Sequence, residues 1–341
     1  MLELRYPPAH RIDEQHLAAV RQIIAEVLQA QALRGNRAGN QAIVDKIGLD
    51  ARLVQSEGYW GEALDYHLGL LYAHIGEPEK AAEYFERSQT HPGHGGNQVF
   101  DGHQRESLEL RRHQELARQR GTPSPVIAAM PRSASASLTQ TLATLFDAPL
   151  MRISCGRFPN FYLVPRWLNS FSPGGAVLHD HFGAVPFNLK TLREGGVRRV
   201  FVRVRDPRPA AASAVNLSDR KFGMPDDIDH ERQVIRLCEQ AFIPWVATWL
   251  AAAADPATGI KIHWLTQPSH AIAEMARDIL TALAPDYPAI EPYLRADVAE
   301  VRANFVIGEA EAWRTGVSKA GQQRLWDAMP QNVKDFLALR P

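Results

Sequence analysis

Apolar positions recur at three- and four-residue spacing from about residue 14 to residue 116, with almost no β-branched runs, and this spacing predicts helix after helix. Two Gly/Pro-rich stretches, HPGHGGNQ at 91–98 and GTPSP at 121–125, interrupt it as loops. Beyond Ser124 the pattern changes. Short apolar runs (PVIAAM, AVLHDH, RRVFVRVR, KIHWL) now alternate with helical patterns over 137–146, 207–217, 231–253 and 270–283. Buried-looking strands in alternation with helices predict an α/β fold, a parallel sheet flanked by helices, whose ligand site lies at the carboxyl ends of the strands. Within residues 198–205, Val200, Val202 and Val204 alternate with Arg199, Phe201, Arg203 and Arg205, the pattern of a half-buried strand. The expected organisation is an all-α segment at 1–120 followed by an α/β domain at 121–341.

Residues 62–93 of the helical segment carry Leu68, Gly69, Tyr72, Ala81, Phe85 and Pro92 at the packing positions of a tetratricopeptide repeat, which this stretch resembles. Small Gly69 and Ala81 let two antiparallel helices approach, while Leu68, Tyr72 and Phe85 fill the seam. A single repeat cannot bury its own face, so helices near 16–31, 40–48 and 104–120 are expected to stack on it. The segment then serves either as a groove for a peptide or protein partner or as a helical buttress.

Composition narrows the classes. At 341 residues, with 45% hydrophobic and 22% charged residues, the chain has the profile of a globular protein, and no apolar run approaches the roughly 18 residues of a membrane span. Lys plus Arg (38) equals Asp plus Glu (38), so the broad basic surface of a nucleic-acid binder is absent and an anionic ligand must be met by a local cluster. Cys155 and Cys238 stand at neither metal-ligand nor redox spacing, and no metal is expected. The polar, acid-containing start differs from a signal or transit peptide, which makes the cytoplasm the expected location.

Candidate chemistry sits in three places. After the strand ending at Met130, the turn Pro131-Arg132-Ser133-Ala134-Ser135-Ala136 opens a helix at Ser137. Outward N–H groups and the helix dipole favour an anion there, Arg132 adds a fixed cation, and Ser133, Ser135 and Ser137 add hydroxyls. No Walker A pattern is present, which argues against ATP hydrolysis, although a P-loop-like kinase dependent on magnesium and ATP is an alternative. About 70 residues on, Arg205 ends a strand, Asp206 and Pro207 start a helix, and Ser213 lies inside it. Between these, His179 and His181 share one face of a short strand and Asp180 takes the other.

The first turn resembles the 5′-phosphosulfate loop of sulfotransferases (Pro, Lys or Arg, Ser, Gly, Thr, Thr) at Pro131, Arg132, Ser133 and Ser135. Ala134 stands where that family has glycine, and Ala136 where it usually has a second threonine. The arginine at a strand end with a serine eight residues on, Arg205 and Ser213, resembles the family's 3′-phosphate motif. The resemblance implies a P-loop-like sulfotransferase fold and transfer of a sulfuryl group from 3′-phosphoadenosine-5′-phosphosulfate (PAPS) to a hydroxylated acceptor, releasing the bisphosphate PAP. It also implies that 132–137, Arg205 and Ser213 hold the donor and that Arg132 neutralises the departing group. By the family's Lys-Thr-His stretch, His181 is the base and His179 stands at the lysine position. A late loop, Gly308 to Trp313, resembles the segment that closes over the 3′-phosphate, and only Gly308 carries over. Protein-tyrosine sulfotransferases are similar at Pro131-Arg132-Ser133, Cys155-Gly156 and Val164-Pro165-Arg166, but their glutamate after Cys-Gly is replaced here by Arg157 and Phe158. A further alternative is a repeat-type binding module whose transferase-like domain has lost activity. Phe158, Phe161, Tyr162, Trp167 and Phe171 either line an acceptor pocket or form core.

Overall fold

A computed structural model describes residues 65, 68–69, 71–72, 76–90, 108–222, 229–301 and 312–340. The expected helices at 16–31 and 40–48, the loop at 91–98, Pro92 and Gly308 lie outside them. The chain divides into two compact units, Met1–Gln104 and Arg105–Pro341.

In the first unit, residues 65, 68–69 and 71–72 are helical and helix α1 spans Pro78–Thr90. Leu71, Ala81 and Phe85 are fully buried; Ala81 and Phe85 are among the packing positions named above, Leu71 is not, and Tyr72, which is, is only half-buried. Gly69 is required here: a Cβ on it would lie 2.6 Å from the Phe85 ring. Tyr72 and Tyr84 stack at 5.1 Å, and Arg87 reaches Asp65 at 3.3 Å.

The second unit begins earlier than the composition break at 121 suggests. Helix α2, Leu108–Gln119, belongs to it and not to the helical segment. Its Ala117 lies in the core of this unit, and Gly175 at φ +79 passes so close that a Cβ would sit 2.2 Å from the Gln114 carbonyl. An amphipathic helix records in its sequence that it has a buried face, not which body covers it.

The sheet contains β1 Val126–Ala129, β2 Leu150–Met151, β5 Val177–Asp180, β6 Arg199–Arg203 and β7 Lys261–Leu265, all parallel in the order β2-β5-β1-β6-β7. The expected α/β architecture is therefore present. A separate antiparallel hairpin, β3 Ser154–Arg157 with β4 Asn160–Leu163, has no counterpart in the sequence reading. Helices α3 Ser135–Phe146 and α9 Ile272–Leu283 cover one face, where Ile127, Val177, Phe201 and Leu265 meet Leu138, Leu142, Met275 and Ile279. Between these come α4 Pro165–Phe171, α5 Pro186–Glu194, α6 Pro207–Phe222, α7 His230–Leu237 and α8 Ile243–Ala254, followed later by α10 Glu291–Leu294, α11 Lys319–Ala328 and α12 Gln331–Phe336.

Two expectations are corrected. β6 is buried on both faces, because Phe201 and Arg203 are as inaccessible as Val200 and Val202; a central parallel strand has helices on each side. The helix expected as continuous over 231–253 is broken by a π turn at Cys238–Phe242. Pro244 lacks an N–H to donate within the helix, and Ile243 bonds back five residues to Cys238 instead of four.

Candidate anion-binding and transfer site

The carboxyl ends of β1, β5 and β6 converge on one region. β1 runs into Met130 and the turn 131–134, which enters α3 with Ala134 at its N-cap in the left-handed region (φ 66) and without a side-chain cap. Arg132 is also left-handed (φ 63). Two non-glycine residues in this region within three positions mark a turn shaped by its surroundings more than by its own preferences. Because Ala134 cannot cap, the first N–H groups of α3 are left to other acceptors.

The two anion motifs meet. Arg132 Nε donates to Ser213 Oγ at 3.0 Å, across 81 residues of chain. Arg205 Nη1 donates to the Arg132 carbonyl at 3.1 Å. Both arginines are half-buried. Burial pulls the Arg205 guanidinium down, as does the nearby Arg132 cation, while Asp206 works the other way. Asp206 is itself engaged: its oxygens accept from Arg208 Nε at 3.1 Å and Nη2 at 2.9 Å, and from the Arg208 N–H at 2.9 Å. The expected cap of α6 by Asp206 is thus present in the bond to the Arg208 amide.

The serines fall into separate roles. Ser133 is fully buried and its hydroxyl donates inward to the Met130 carbonyl at 2.6 Å, tying the turn to its strand. Ser135 and Ser137 are buried in the first turn of α3, and Ala136 is half-buried between them.

β5 delivers the histidines. His181 Nδ1 lies 2.7 Å from the Ala129 carbonyl. A carbonyl only accepts, so Nδ1 carries the proton and Nε2 the lone pair. Desolvation holds His181 below the ordinary imidazole range, and the ring is neutral near pH 7. Its carbonyl accepts from Trp245 Nε1 at 3.0 Å, and Phe161 meets its ring edge-on at 6.0 Å. His179 packs at 5.3 Å from His181 but is buried, at 6% exposure, and desolvation drives it down to about 3. A neutral imidazole in this place brings no positive charge to the lysine position of the resembled motif. Asp180, on the opposite face, is fully buried; burial pushes its carboxyl up, but Arg152 at 3.8 Å and the Ser154 N–H overcome this and leave it below the usual carboxylate range.

Compared with known proteins, the chain matches no family model, no curated protein and no solved structure. The site's chemistry therefore rests on its own residues. Among the described residues no helix is long and apolar enough to cross a membrane, and no three His, Cys, Asp or Glu side chains gather as metal ligands.

Four of the five aromatic candidates for an acceptor pocket, Phe161, Tyr162, Trp167 and Phe171, are buried at 8% exposure or less. Phe158 is half-buried against Phe242 at 4.8 Å. The sequence reading missed Arg152, Trp245 and Arg203. Arg203 stands in the run 198–205, where it alternates with valines just as Arg199 and Arg205 do, so nothing there set it apart.

Proposed function

We propose that the second unit is a PAPS-dependent sulfotransferase with an acceptor hydroxyl as its target. The observation that carries this reading is the 3.0 Å contact between Arg132 and Ser213, which joins two candidate anion motifs from distant parts of the chain beyond the carboxyl ends of β1 and β6. The donor carries about four negative charges on two separated phosphate positions, and a protein of zero net charge must answer them with local cations. Arg132 with the N-terminus of α3 fits the phosphosulfate end, and Arg205 with Ser213 fits the 3′-phosphate. PAPS supplies the sulfuryl group and a stable bisphosphate leaving group. His181 Nε2 takes the acceptor's hydroxyl proton as the acceptor oxygen bonds to sulfur in line with the breaking bond to the bridging oxygen. Arg132 neutralises the charge gathering on that bridging oxygen. His179 stays neutral, and its part is packing against His181.

For the first unit we propose a tetratricopeptide-like helix pair, supported by the close approach of Gly69 to Phe85.

Calorimetric titration with adenosine 3′,5′-bisphosphate and with ADP, which lacks the 3′-phosphate, tests the proposal. The bisphosphate is expected to bind at least about tenfold more tightly, and Arg205→Ala or Ser213→Ala to erase the difference; a tenfold change is about 1.4 kcal/mol. No bisphosphate binding at millimolar concentration refutes the assignment.

A further inference from the structure

Arg203 is fully buried at the end of the interior strand β6, and among the described residues all its side-chain hydrogen bonds go to main-chain carbonyls. Nε donates to Ser133 O at 2.7 Å, inside the anion-binding turn. Nη1 donates to Val204 O at 3.1 Å, to Leu265 O at 2.9 Å at the end of β7, and to Gln267 O at 2.7 Å beyond it. Nη2 is buried and has no partner among the described residues. The guanidinium fork thus spans the end of β6, the end of β7 and the turn after β1. Its own backbone is fixed as well: Arg203 O accepts from Met130 N at 2.9 Å, one residue before the turn begins.

We propose that Arg203 is a positioning residue for the anion site: by gripping the Ser133 carbonyl it sets the left-handed turn that presents Arg132 and the N-terminus of α3 to a bound phosphate. The inference rests on reading this turn as an anion cradle, and not on the nucleotide being PAPS. Three features carry it. Arg132 and Ala134, the two strained residues, flank Ser133 directly, so the turn's unfavourable backbone angles are centred on the carbonyl that Arg203 holds. Among the described residues the charge has no carboxylate partner, and burial together with Arg205 pushes it down to about 9, so it remains a cation at neutral pH. Asp206, the nearest acid on the chain, is occupied by Arg208. A buried cation held only by carbonyl dipoles, with one N–H group unmet, is stabilised when an anion arrives close by. Lysine preserves the charge but cannot reproduce a planar fork reaching three strand ends.

The test uses the full chain with Arg203→Lys, Arg132→Ala and the double variant, and inorganic pyrophosphate as the probe. If Arg203 acts through Arg132, Arg203→Lys weakens pyrophosphate at least about tenfold, and the double variant binds no worse than Arg132→Ala alone. Amide hydrogen exchange of 131–138 rises about tenfold or more in Arg203→Lys while exchange in 126–129 and 261–265 is unchanged. Wild-type affinity in Arg203→Lys would mean that charge alone matters, and additive losses would mean that the two arginines act independently; either result overturns the proposal. Unchanged exchange of the turn overturns it too, and this arm needs no ligand. A mutation-free check is the Arg203 Nε–H resonance in the wild type, expected to be protected from solvent; rapid exchange would contradict the grip on Ser133. A chain that binds pyrophosphate but does not prefer the 3′,5′-bisphosphate would sink the sulfotransferase reading and leave this one standing.

Discussion

Replacing His179 with leucine should change how the stability of the second unit responds to acid. His179 is buried at 6% exposure, its Nε2 has no partner among the described residues, and desolvation takes it from the ordinary 6.5 down to about 3. In the unfolded chain it titrates near 6.5. Between those two pH values the unfolded state holds a proton that the native state refuses, so native stability is complete above about 6.5 and declines as pH falls toward 3. The slope from one such group is about 1.4 kcal/mol per pH unit, which amounts to roughly 2–3 kcal/mol between pH 6.5 and 4.5. His181 and His263 are depressed in the same direction and contribute the same sign in both proteins. Asp180, whose ordinary value is 3.8, begins to matter only below this window. Leucine fills a similar volume and removes the unmet Nε2, which adds about 1 kcal/mol or more at every pH. Urea unfolding followed by tryptophan fluorescence reads the effect, since every tryptophan except Trp60 lies in the second unit. The expected result is a His179→Leu protein equal to or more stable than wild type at pH 7.5, with the gap widening by roughly 2–3 kcal/mol at pH 4.5. Parallel pH curves for the two proteins would show that His179 is not a desolvated neutral imidazole.

Ala134→Gly should raise stability by about 1 kcal/mol in the same assay, because glycine occupies the observed φ of 66 without the Cβ clash that alanine suffers. Arg208→Ala should lower it by about 3 kcal/mol, since it strips Asp206 of its bidentate partner, two tryptophan faces of their cation and the Arg340 carbonyl of a donor. In a PAPS-dependent transfer assay, His181→Ala should lose about 10²–10⁴ in kcat while calorimetric affinity for the bisphosphate stays within a factor of about two. The wild-type acid limb should lie below the ordinary imidazole range, because desolvation lowers the His181 pKa and its neutral form persists to lower pH. A limb at or above 6.5 would reject the base.

Which parts of this architecture were legible follows from how each is encoded. β1 and β5 are buried along their whole length and β6 past its first residue, and apolar residues make up most of these runs because both faces are covered; β7 is buried only at Leu265 and shows as a short β-prone run between helical patterns. β2 has two residues and the hairpin strands four each, too short for a period to register. The strand end and helix that carry Arg205 and Ser213 were legible from local pattern, and the nearness of that motif to the turn at Arg132 was expected from the resemblance; the direct bond from Arg132 to Ser213, across 81 residues, was not. Arg203 was not, because alternation with valines made it look like part of a polar face, and nothing in a strand's own sequence says that helices will cover both sides. The inward turn of the Ser133 hydroxyl and the burial of His179 likewise depend on what neighbouring strands bring, not on the motif in which each residue stands.

A chain with 38 basic and 38 acidic residues can still gather arginines at its strand ends while the carboxylates described beside them are engaged elsewhere. Asp206 adjoins Arg205 in sequence, but its carboxylate is claimed by Arg208, whose guanidinium lies over Trp313 and Trp326 and so cannot easily turn away. Asp180 lies one residue from His181 but accepts from the Ser154 and His181 amides and faces Arg152. Asp180 and Asp206 are thereby each held by donors of their own. Arg203 and Arg205 give their hydrogen bonds here to main-chain carbonyls, groups that orient a guanidinium without neutralising it. An anion reaching guanidinium groups held in this way, in a partly desolvated place, would gain more than it would from the same arginines in water.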